Sequence, residues 1–231
     1  MKRILLLSDL HGKSPAVDKE DLDNVDFVLL AGDFTLGAKS INKFEREVEA
    51  IAAFFAPKKV YLIPGNNDLP YVLSYNYPES IFYFHDKIDL IDSEHGIVLI
   101  GFGGAKIGIR NVIAFTEEEI FNRLDALFKK QKEIFPNTKV IFFVHDPPYN
   151  TNCDKAFMRQ HAGSESVRKI IEIYQPTLAV CGHIHESQGM DTIGITKIVN
   201  AGGHNQKKYA IIELDENEIH VEFKQPKHGE K

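Results

Sequence analysis

Cysteine is scarce in this 231-residue chain, which has only Cys153 and Cys181. Two cysteines cannot form a disulfide framework, so a reducing, cytoplasmic location is the simpler interpretation. Cys181 lies in an apolar run and is expected to be buried. Cys153 follows two prolines in a predicted loop, and we expect it to be exposed.

Long hydrophobic runs are also missing. The apolar run at residues 4–7 is followed at once by Ser8 and Asp9, and it is too short for the core of a signal peptide. No run approaches the roughly 20 apolar residues that span a bilayer. These absences predict a cytoplasmic protein with no membrane partner.

The chain has no excess of basic charge. Its 27 Lys and Arg residues stand against 33 Asp and Glu residues, which gives a formal net charge of −6. This balance and the lack of a basic stripe disfavour nucleic acid as a partner, and with it a nuclease. Hydrophobic residues make up 43% of the chain and charged residues 26%, values that exclude a disordered chain.

Short β-rich apolar runs alternate with segments of helical periodicity. Strands are predicted at residues 3–7, 27–30, 60–63, 82–84, 97–101, 140–144, 178–181, 195–199, 209–214 and 219–223. Helices are predicted around residues 44–55, 120–128 and 167–174, the last two with N-caps at Thr116 and Ser164. This alternation indicates an α/β fold. We expect one domain over residues 1–224 and a polar tail over residues 225–231.

Aspartate, histidine and asparagine side chains gather where five of the predicted strands end. The segments are 8–12, 32–33, 65–68, 145–146 and 182–185. Since ligands of α/β sheets bind beyond the carboxyl ends of the strands, we expect these segments to meet at one edge. Taken singly, each residue is more often a turn residue or a structural histidine. Together they form a nitrogen and oxygen donor set without thiolate, which suits Mn, Fe, Zn, Co or Ni.

Two pairs in these segments have a spacing of two residues. They are Asp9 with His11 and His183 with His185. On an extended segment, this spacing directs both side chains of a pair to the same face.

In chain order, the motifs Asp9-x-His11, Gly32-Asp33, Gly65-Asn66-x-Asp68, His145 and Gly182-His183-x-His185 resemble those of the calcineurin-like metallophosphoesterases. The resemblance runs from residue 4 to about residue 203 and is nearest to the small prokaryotic Icc-like phosphoesterases. It implies a four-layer α/β/β/α sandwich with a dinuclear metal site at the C-terminal ends of the strands. The activity it implies is hydrolysis of a phosphodiester, or of an activated phosphomonoester, by a hydroxide that bridges the two metals.

The resemblance also implies two ligand sets that share one carboxylate. The first metal would be bound by Asp9, His11, Asp33 and His185. The second would be bound by Asp33, Asn66, His145 and His183. Both metals would be divalent transition ions, from Mn, Fe, Zn, Ni and Co with Mn favoured, and the substrate would be a small phosphorylated molecule.

One motif departs from the family pattern, because Asn67 stands where the family usually has a histidine. That histidine contacts the substrate phosphate and helps the leaving group to gain its proton, a kind of assistance typically worth about 10²–10⁴-fold. Asn67 can position the phosphate but cannot act as a general acid. Either water or a metal assists the leaving group, or His161 supplies the proton, or the enzyme is specialised for activated leaving groups.

Two further residues have alternative roles. Asp68 is expected either to orient Asn67 or to serve as a turn residue. Arg110 is a candidate for binding a substrate phosphate or carboxylate, and its structural alternative is an exposed arginine.

Another class of function fits the same fold. The metallophosphoesterase-like subunit of retromer uses it as a protein-binding module, a role that usually accompanies loss of metal ligands. Every ligand position of the family is retained in this chain, so the enzyme is favoured. The sequence leaves the oligomeric state open.

Overall fold

The computed structural model describes residues 1–35, 41–108, 111–215 and 218–227. The strands are β1 (Lys2–Leu7), β2 (Phe27–Ala31), β3 (Lys59–Ile63), β4 (Ile81–Tyr83), β5 (Lys87–Asp92), β6 (Ile97–Phe102), β7 (Ala105–Lys106), β8 (Ala114–Phe115), β9 (Lys139–Val144), β10 (Leu178–Cys181), β11 (Gly189–Ile193), β12 (Thr196–Asn200), β13 (Tyr209–Leu214) and β14 (Ile219–Lys224). The helices are α1 (Lys19–Asp23), α2 (Ile41–Phe55), α3 (Glu117–Ile134) and α4 (Glu165–Tyr174). None of the described helices is both long enough and apolar enough to cross a membrane.

Twelve of these strands form two sheets of six. The first sheet has the order β14-β13-β1-β2-β3-β4 and the second has the order β11-β12-β10-β9-β6-β5. Strands β1 to β4 run parallel to one another, as do β6, β9, β10 and β12, whereas β5, β11, β13 and β14 are antiparallel to their neighbours. The carboxyl ends of the parallel strands in each sheet therefore meet at one edge.

The two sheets pack face to face, and helices cover their outer faces. Leu6 and Leu29 of the first sheet share a core with Phe143 and Val180 of the second. The alternate residues of β1 and β2 pack against α2, and those of β9 pack against α3 and α4. Both faces of the central strands are thus buried, which is why they read as continuous apolar runs. The predicted α/β/β/α sandwich is confirmed.

The predicted elements agree with the structure to within a few residues. Thr116 and Ser164 are the N-caps of α3 and α4, and Thr116 forms a capping box with Glu119. The sequence did not predict β5, β11, the short β7 and β8, or the five-residue helix α1. Strands β5 and β11 lie at a sheet edge and alternate between exposed and partly buried residues, which weakens their apolar signal.

The prediction for Cys153 is wrong, because this side chain is fully buried. Its loop folds back over β11 and β12, where the Sγ atom lies 3.6 Å from the carbonyl oxygen of Gly189. The end of the predicted tail, residues 228–231, lies outside the described residues.

Candidate dinuclear metal centre

The predicted ligands lie on the loops that directly follow β1, β2, β3, β9 and β10. The backbone at four of them has a left-handed conformation, with φ of 58° at Asp9, 48° at His11, 50° at Asp33 and 66° at His183. The extended backbone on which the same-face argument for the two pairs depends is therefore absent at Asp9, His11 and His183. Tight turns bring the side chains together instead, and non-glycine residues adopt this conformation only where the surrounding structure holds them in it.

Hydrogen bonds between loops hold these turns in place. The backbone amide of Asp9 donates to the carbonyl oxygen of Gly32 at 2.9 Å, and that of His11 donates to Asp33 at 2.8 Å. The amide of Asn205, on the loop after β12, donates to the carbonyl oxygen of Asp9 at 3.0 Å. The loops after β1, β2 and β12 therefore form one connected framework.

Glycines allow the loops to approach closely at two points. Gly32 has a φ of 87°, and a Cβ atom there would collide with the ring of His145. A Cβ atom on Gly182 would collide with the hydroxyl of Ser8 and lie 2.8 Å from Oδ2 of Asp9. Because each contact joins the first sheet to the second, the glycines of these motifs serve packing of the site.

Asp9, His11 and His185 form the first cluster of donor atoms. Nε2 of His185 lies 3.1 Å from Oδ1 of Asp9 and 3.1 Å from Nε2 of His11. Oδ2 of Asp9 accepts hydrogen bonds from the Ser8 hydroxyl at 2.5 Å and from the His183 amide at 2.9 Å. Oδ1 of Asp9, in contrast, is buried without a hydrogen-bond partner. A buried carboxylate oxygen directed at two imidazoles is a suitable ligand for a cation.

Asp33 lies between histidines of the two predicted ligand sets. Its Oδ2 atom is 3.9 Å from Nε2 of His11 and 3.7 Å from Nε2 of His145. Asp9, Asp33 and His145 form a second cluster, whose donor atoms all lie within 4.8 Å of one another. Among the described residues the two clusters share Asp9, and Asp33 of the second cluster also lies 3.9 Å from His11 of the first.

His145 and Asn66 direct two acceptor atoms at each other. Nδ1 of His145 lies 2.6 Å from the carbonyl oxygen of Ala31, which can only accept, so we assign the proton of the neutral ring to Nδ1. Nε2 then faces Oδ1 of Asn66 at 3.0 Å. The pair requires either a second proton on the ring or a cation between the two atoms. Burial opposes a charged ring, but the carboxylates of Asp33 and Asp9 outweigh burial and raise the pKa of His145.

Asn111 is a site residue that the sequence analysis missed. Its Oδ1 atom accepts a hydrogen bond of 2.9 Å from Nδ2 of Asn66, so Oδ1 of Asn66 must face His145. Nδ2 of Asn111 in turn donates to the carbonyl oxygen of Lys106 at 2.8 Å, which fixes the orientation of the Asn111 amide. A single asparagine in a loop carries no motif, so no sequence signal marked it.

Of the other three site histidines, His183 and His11 favour their neutral, ligating form. Burial, together with the nearby charge on His145, lowers the pKa of His183 to about 3. Burial also lowers the pKa of His11, although Asp33 and Asp9 oppose this effect. Burial acts in the same direction on His185, but the hydrogen bond and charge of Asp9 outweigh burial and raise the pKa of His185. Neutral imidazole is the form that binds a metal ion. The His183 ring lies 5.0 Å from that of His145, measured between centroids.

Asn67 and Asp68 both act on the loops around Asp33. The backbone amide of Asn67 donates to Oδ1 of Asp33 at 2.7 Å and its side-chain amide donates to Oδ2 at 2.5 Å. Asp68 is fully buried and accepts hydrogen bonds from Thr35 and from the Gly65 amide, at 2.7–2.9 Å. Burial, reinforced by Asp33, raises the pKa of Asp68 to about 7. These contacts fit the turn role that the sequence allowed for Asp68.

His161, a further predicted site residue, has its described contacts outside the two clusters. Nδ1 of His161 is 2.7 Å from Oδ1 of the buried Asp154, and its ring makes an edge contact with Tyr149. Among the described contacts, none joins His161 to a predicted metal ligand. Arg110 lies outside the described residues.

The donor set fits a pair of divalent transition metals. Imidazole nitrogens, carboxylate oxygens and one amide oxygen converge without a thiolate, and the buried Oδ1 atom of Asp9 lies 3.1 Å from Nε2 of His185. Asp92, Glu94 and His95 form a third donor cluster, but Asp92 is already paired with Lys2 at 3.0 Å.

Comparisons with known proteins agree with the fold. The sequence profile of the calcineurin-like phosphoesterases matches residues 2–187. The chain is 33% identical over 223 residues to an uncharacterised protein of Methanocaldococcus jannaschii, a match that covers 94% of each chain. It is 26% identical over 163 residues to a probable glycerophosphodiester phosphodiesterase of Arcobacter nitrofigilis, which covers 69% of this chain and 56% of that protein.

A solved structure shows the same fold. The crystal structure of TT1561 from Thermus thermophilus matches with a TM-score of 0.68 at 18% identity and covers 96% of this chain and 98% of that one. The sequence profile spans the loops that carry Asp9, Asp33, Asn66, His145 and His183, the residues that the two sheets bring to one edge. The chain therefore belongs to the calcineurin-like phosphoesterase family.

Proposed function

We propose that the chain is a dinuclear-metal-dependent phosphoesterase that hydrolyses a phosphodiester or an activated phosphomonoester. The observation that carries the proposal is the position of Asp33, whose Oδ2 atom lies between His11 and His145 at 3.9 and 3.7 Å. Two divalent cations at such a centre supply Lewis-acid stabilisation of a phosphoryl group and lower the pKa of water. Manganese is the first metal to test.

The residues divide into two sets that would hold the two cations. Asp9, His11 and His185 favour one site, while Asn66, His145 and His183 favour the other, with Asp33 between them. Hydrogen bonds from Asn67 fix both oxygens of Asp33, and those from Ser8 and His183 fix Oδ2 of Asp9. These contacts leave Oδ1 of Asp9 for a cation, so the carboxylates are oriented before any ligand binds.

Asn67 has one amide hydrogen that is not committed to Asp33, and we propose that it donates to a phosphoryl oxygen of the substrate. The proposal assigns no general acid to Asn67. His161 is bound to Asp154 at 2.7 Å, so the proposal does not depend on it. Without a general acid, poor leaving groups such as high-pKa alkoxides should depart slowly, and leaving groups of low pKa should be favoured.

A phosphodiester is the favoured substrate class. It is supported by the likeness to the probable glycerophosphodiester phosphodiesterase of Arcobacter nitrofigilis, which aligns with 69% of this chain. The test is an assay of metal-stripped protein reloaded with Mn²⁺, against bis-p-nitrophenyl phosphate and p-nitrophenyl phosphate in parallel. We expect metal-dependent turnover of both, with the diester faster.

Two variants test the assigned centre. Asp33→Asn and His183→Ala should each lower the Mn²⁺ stoichiometry and reduce turnover of the diester by at least about 100-fold. Lys130→Ala, at an exposed position of α3 on the second sheet, is the matched control and should behave as wild type. Wild-type turnover in either ligand variant would refute the mechanism. Tight metal binding without turnover of either ester would favour a protein-binding module.

A further inference from the structure

A cavity opens beside the proposed metal centre, between the loop after β1 and helix α2. It has a volume of about 320 Å³ and its apolar wall contains Phe34 and Ile51, both almost fully buried. This volume is at the lower end of the range of about 300–1,000 Å³ that small-molecule sites occupy. The cavity therefore has room for a small organic group.

The cavity is lined by three cations and one carboxylate, which is unusual in a chain whose net charge is −6. The carboxylate is Glu47, and Nζ of Lys43 lies 3.6 Å from it. The other two cations are Lys13 and Arg46, and neither forms an ion pair with a described carboxylate. Nζ of Lys13 donates to the carbonyl oxygen of Asn205 at 2.9 Å. The lining thus has positive charge that a ligand can neutralise.

The cavity lies next to the proposed ligands along the chain and in space. Gly12 and Phe34, which line it, each follow a proposed ligand, and the Gly12 amide donates to the Phe34 carbonyl oxygen at 3.0 Å. Lys13 is two residues from His11, a Cα separation of at most about 7 Å. Lys13 also reaches Asn205, whose side-chain amide is 3.4 Å from Nδ1 of His185. A substituent of a phosphodiester at the centre can therefore reach this cavity.

We propose that the cavity binds one ester substituent of the substrate, and that this substituent is a small apolar group with a second negative charge. The inference rests on the proposed function and specifies its substrate class. Phe34, Ile51 and Pro15 would contact the apolar part, while Arg46 and Lys43 at the mouth would pair with the carboxylate or phosphate. The enzyme then selects diesters that carry an additional anion over neutral-substituted ones.

Three matched diesters test the selection. They are p-nitrophenyl phenyl phosphate, its 4-carboxyphenyl analogue and its 4-phosphonophenyl analogue. The three differ only in the group at the para position of one ring, which is neutral in the first and anionic in the other two. Exposed ion pairs change affinity by about 1.4- to 5-fold each, so two cations should lower KM by about 2- to 25-fold for an anionic analogue. The preferred analogue distinguishes a carboxylate ligand from a phosphate ligand. The preference should decline in 0.5 M salt because these charges are partly exposed.

Arg46→Glu is the decisive variant, since it reverses one charge at the cavity mouth. In this variant, the KM for the preferred anionic ester should equal or exceed the KM for the phenyl ester. Lys130→Glu makes the same charge change on α3 and should leave the wild-type ratio intact. A wild-type protein with no preference, or a preference that survives Arg46→Glu, would overturn the inference.

A binding measurement separates this inference from the proposed function. Calorimetry with metal-loaded protein compares phenyl phosphate with 4-carboxyphenyl phosphate and 4-phosphonophenyl phosphate, and it requires no turnover. Suppose that no diester is hydrolysed, but that wild type binds an anionic ligand more tightly than phenyl phosphate and Arg46→Glu does not. The hydrolytic function then fails and the cavity assignment stands. Equal binding of all three ligands overturns the cavity assignment whatever the turnover.

Discussion

The orientation of the Asn66 amide gives the most specific prediction about the centre. Nδ2 of Asn66 donates to Oδ1 of Asn111 at 2.9 Å, and Nδ2 of Asn111 donates to the carbonyl oxygen of Lys106 at 2.8 Å. Each amide can present either its oxygen or its nitrogen to a neighbour, and this chain of contacts decides the choice. Asn111→Leu has a similar volume and removes both contacts, so the Asn66 amide becomes able to rotate.

The expected loss follows from the two contacts. A neutral hydrogen bond contributes about 0.5–1.5 kcal/mol, and loss of a group that orients a ligand typically lowers metal affinity 10- to 100-fold. A tenfold change corresponds to about 1.4 kcal/mol. We therefore expect affinity at the site of Asn66 and His145 to fall by 10- to 100-fold. The site of His11 and His185 has no contact with Asn111 among the described residues and should change little.

The assay is a competition titration of Mn²⁺ against a chromophoric chelator, which resolves the two binding steps. Asn122→Leu makes the same exchange at an exposed position of α3 and serves as the control. The reasoning is refuted if Asn111→Leu weakens both steps equally, since a general loss of structure would do the same. Unchanged affinity at both steps would refute it as well.

Three further predictions concern other parts of the molecule. Gly182→Ala places a methyl group against Ser8 and Oδ2 of Asp9, so its free energy of unfolding in urea should fall by about 1–3 kcal/mol; unchanged stability would contradict the close contact. Burial raises the pKa of Asp92, but hydrogen bonds from His95 and Lys2 outweigh it and hold the pKa at about 2, below its ordinary value of 3.8. Asp92 therefore stabilises the fold above pH 4 and loses this contribution as the pH falls towards 2, so Asp92→Asn should cost about 1 kcal/mol at pH 7 and almost nothing at pH 2, measured by urea denaturation. Asn67→His introduces a general acid and should raise kcat for alkyl diesters by about tenfold or more while leaving p-nitrophenyl esters within threefold; equal effects on both would contradict the missing-acid reasoning.

The sequence predicted the layers of the fold because the burial pattern is simple. Strands buried on both faces read as short continuous apolar runs, and α2, α3 and α4 have one apolar face each. Strands β5 and β11 were missed because edge strands expose alternate residues. Cys153 was misjudged because the folding back of its loop depends on contacts with distant strands.

The candidate site was predictable to a different extent. Its ligands follow strands, and the rule that strand ends meet at one edge was sufficient to group them. Their geometry was not predictable, since Asp9 and His183 adopt left-handed backbone that the spacing of two residues does not indicate. Asn111 acts through one amide contact with Asn66, and such a contact has no local sequence pattern.

The division of the proposed ligands between the sheets explains why the proposed centre depends so closely on the fold. Asp9, His11, Asp33 and Asn66 follow strands of the first sheet, whereas His145, His183 and His185 follow strands of the second. The contacts that join the two sets, such as His145 to Ala31 and His183 to Asp9, cross from one sheet to the other. The donor set is therefore complete only when the sheets have packed. Because a ligand that binds only the packed state stabilises that state, free energy gained from metal binding also holds the sheets together.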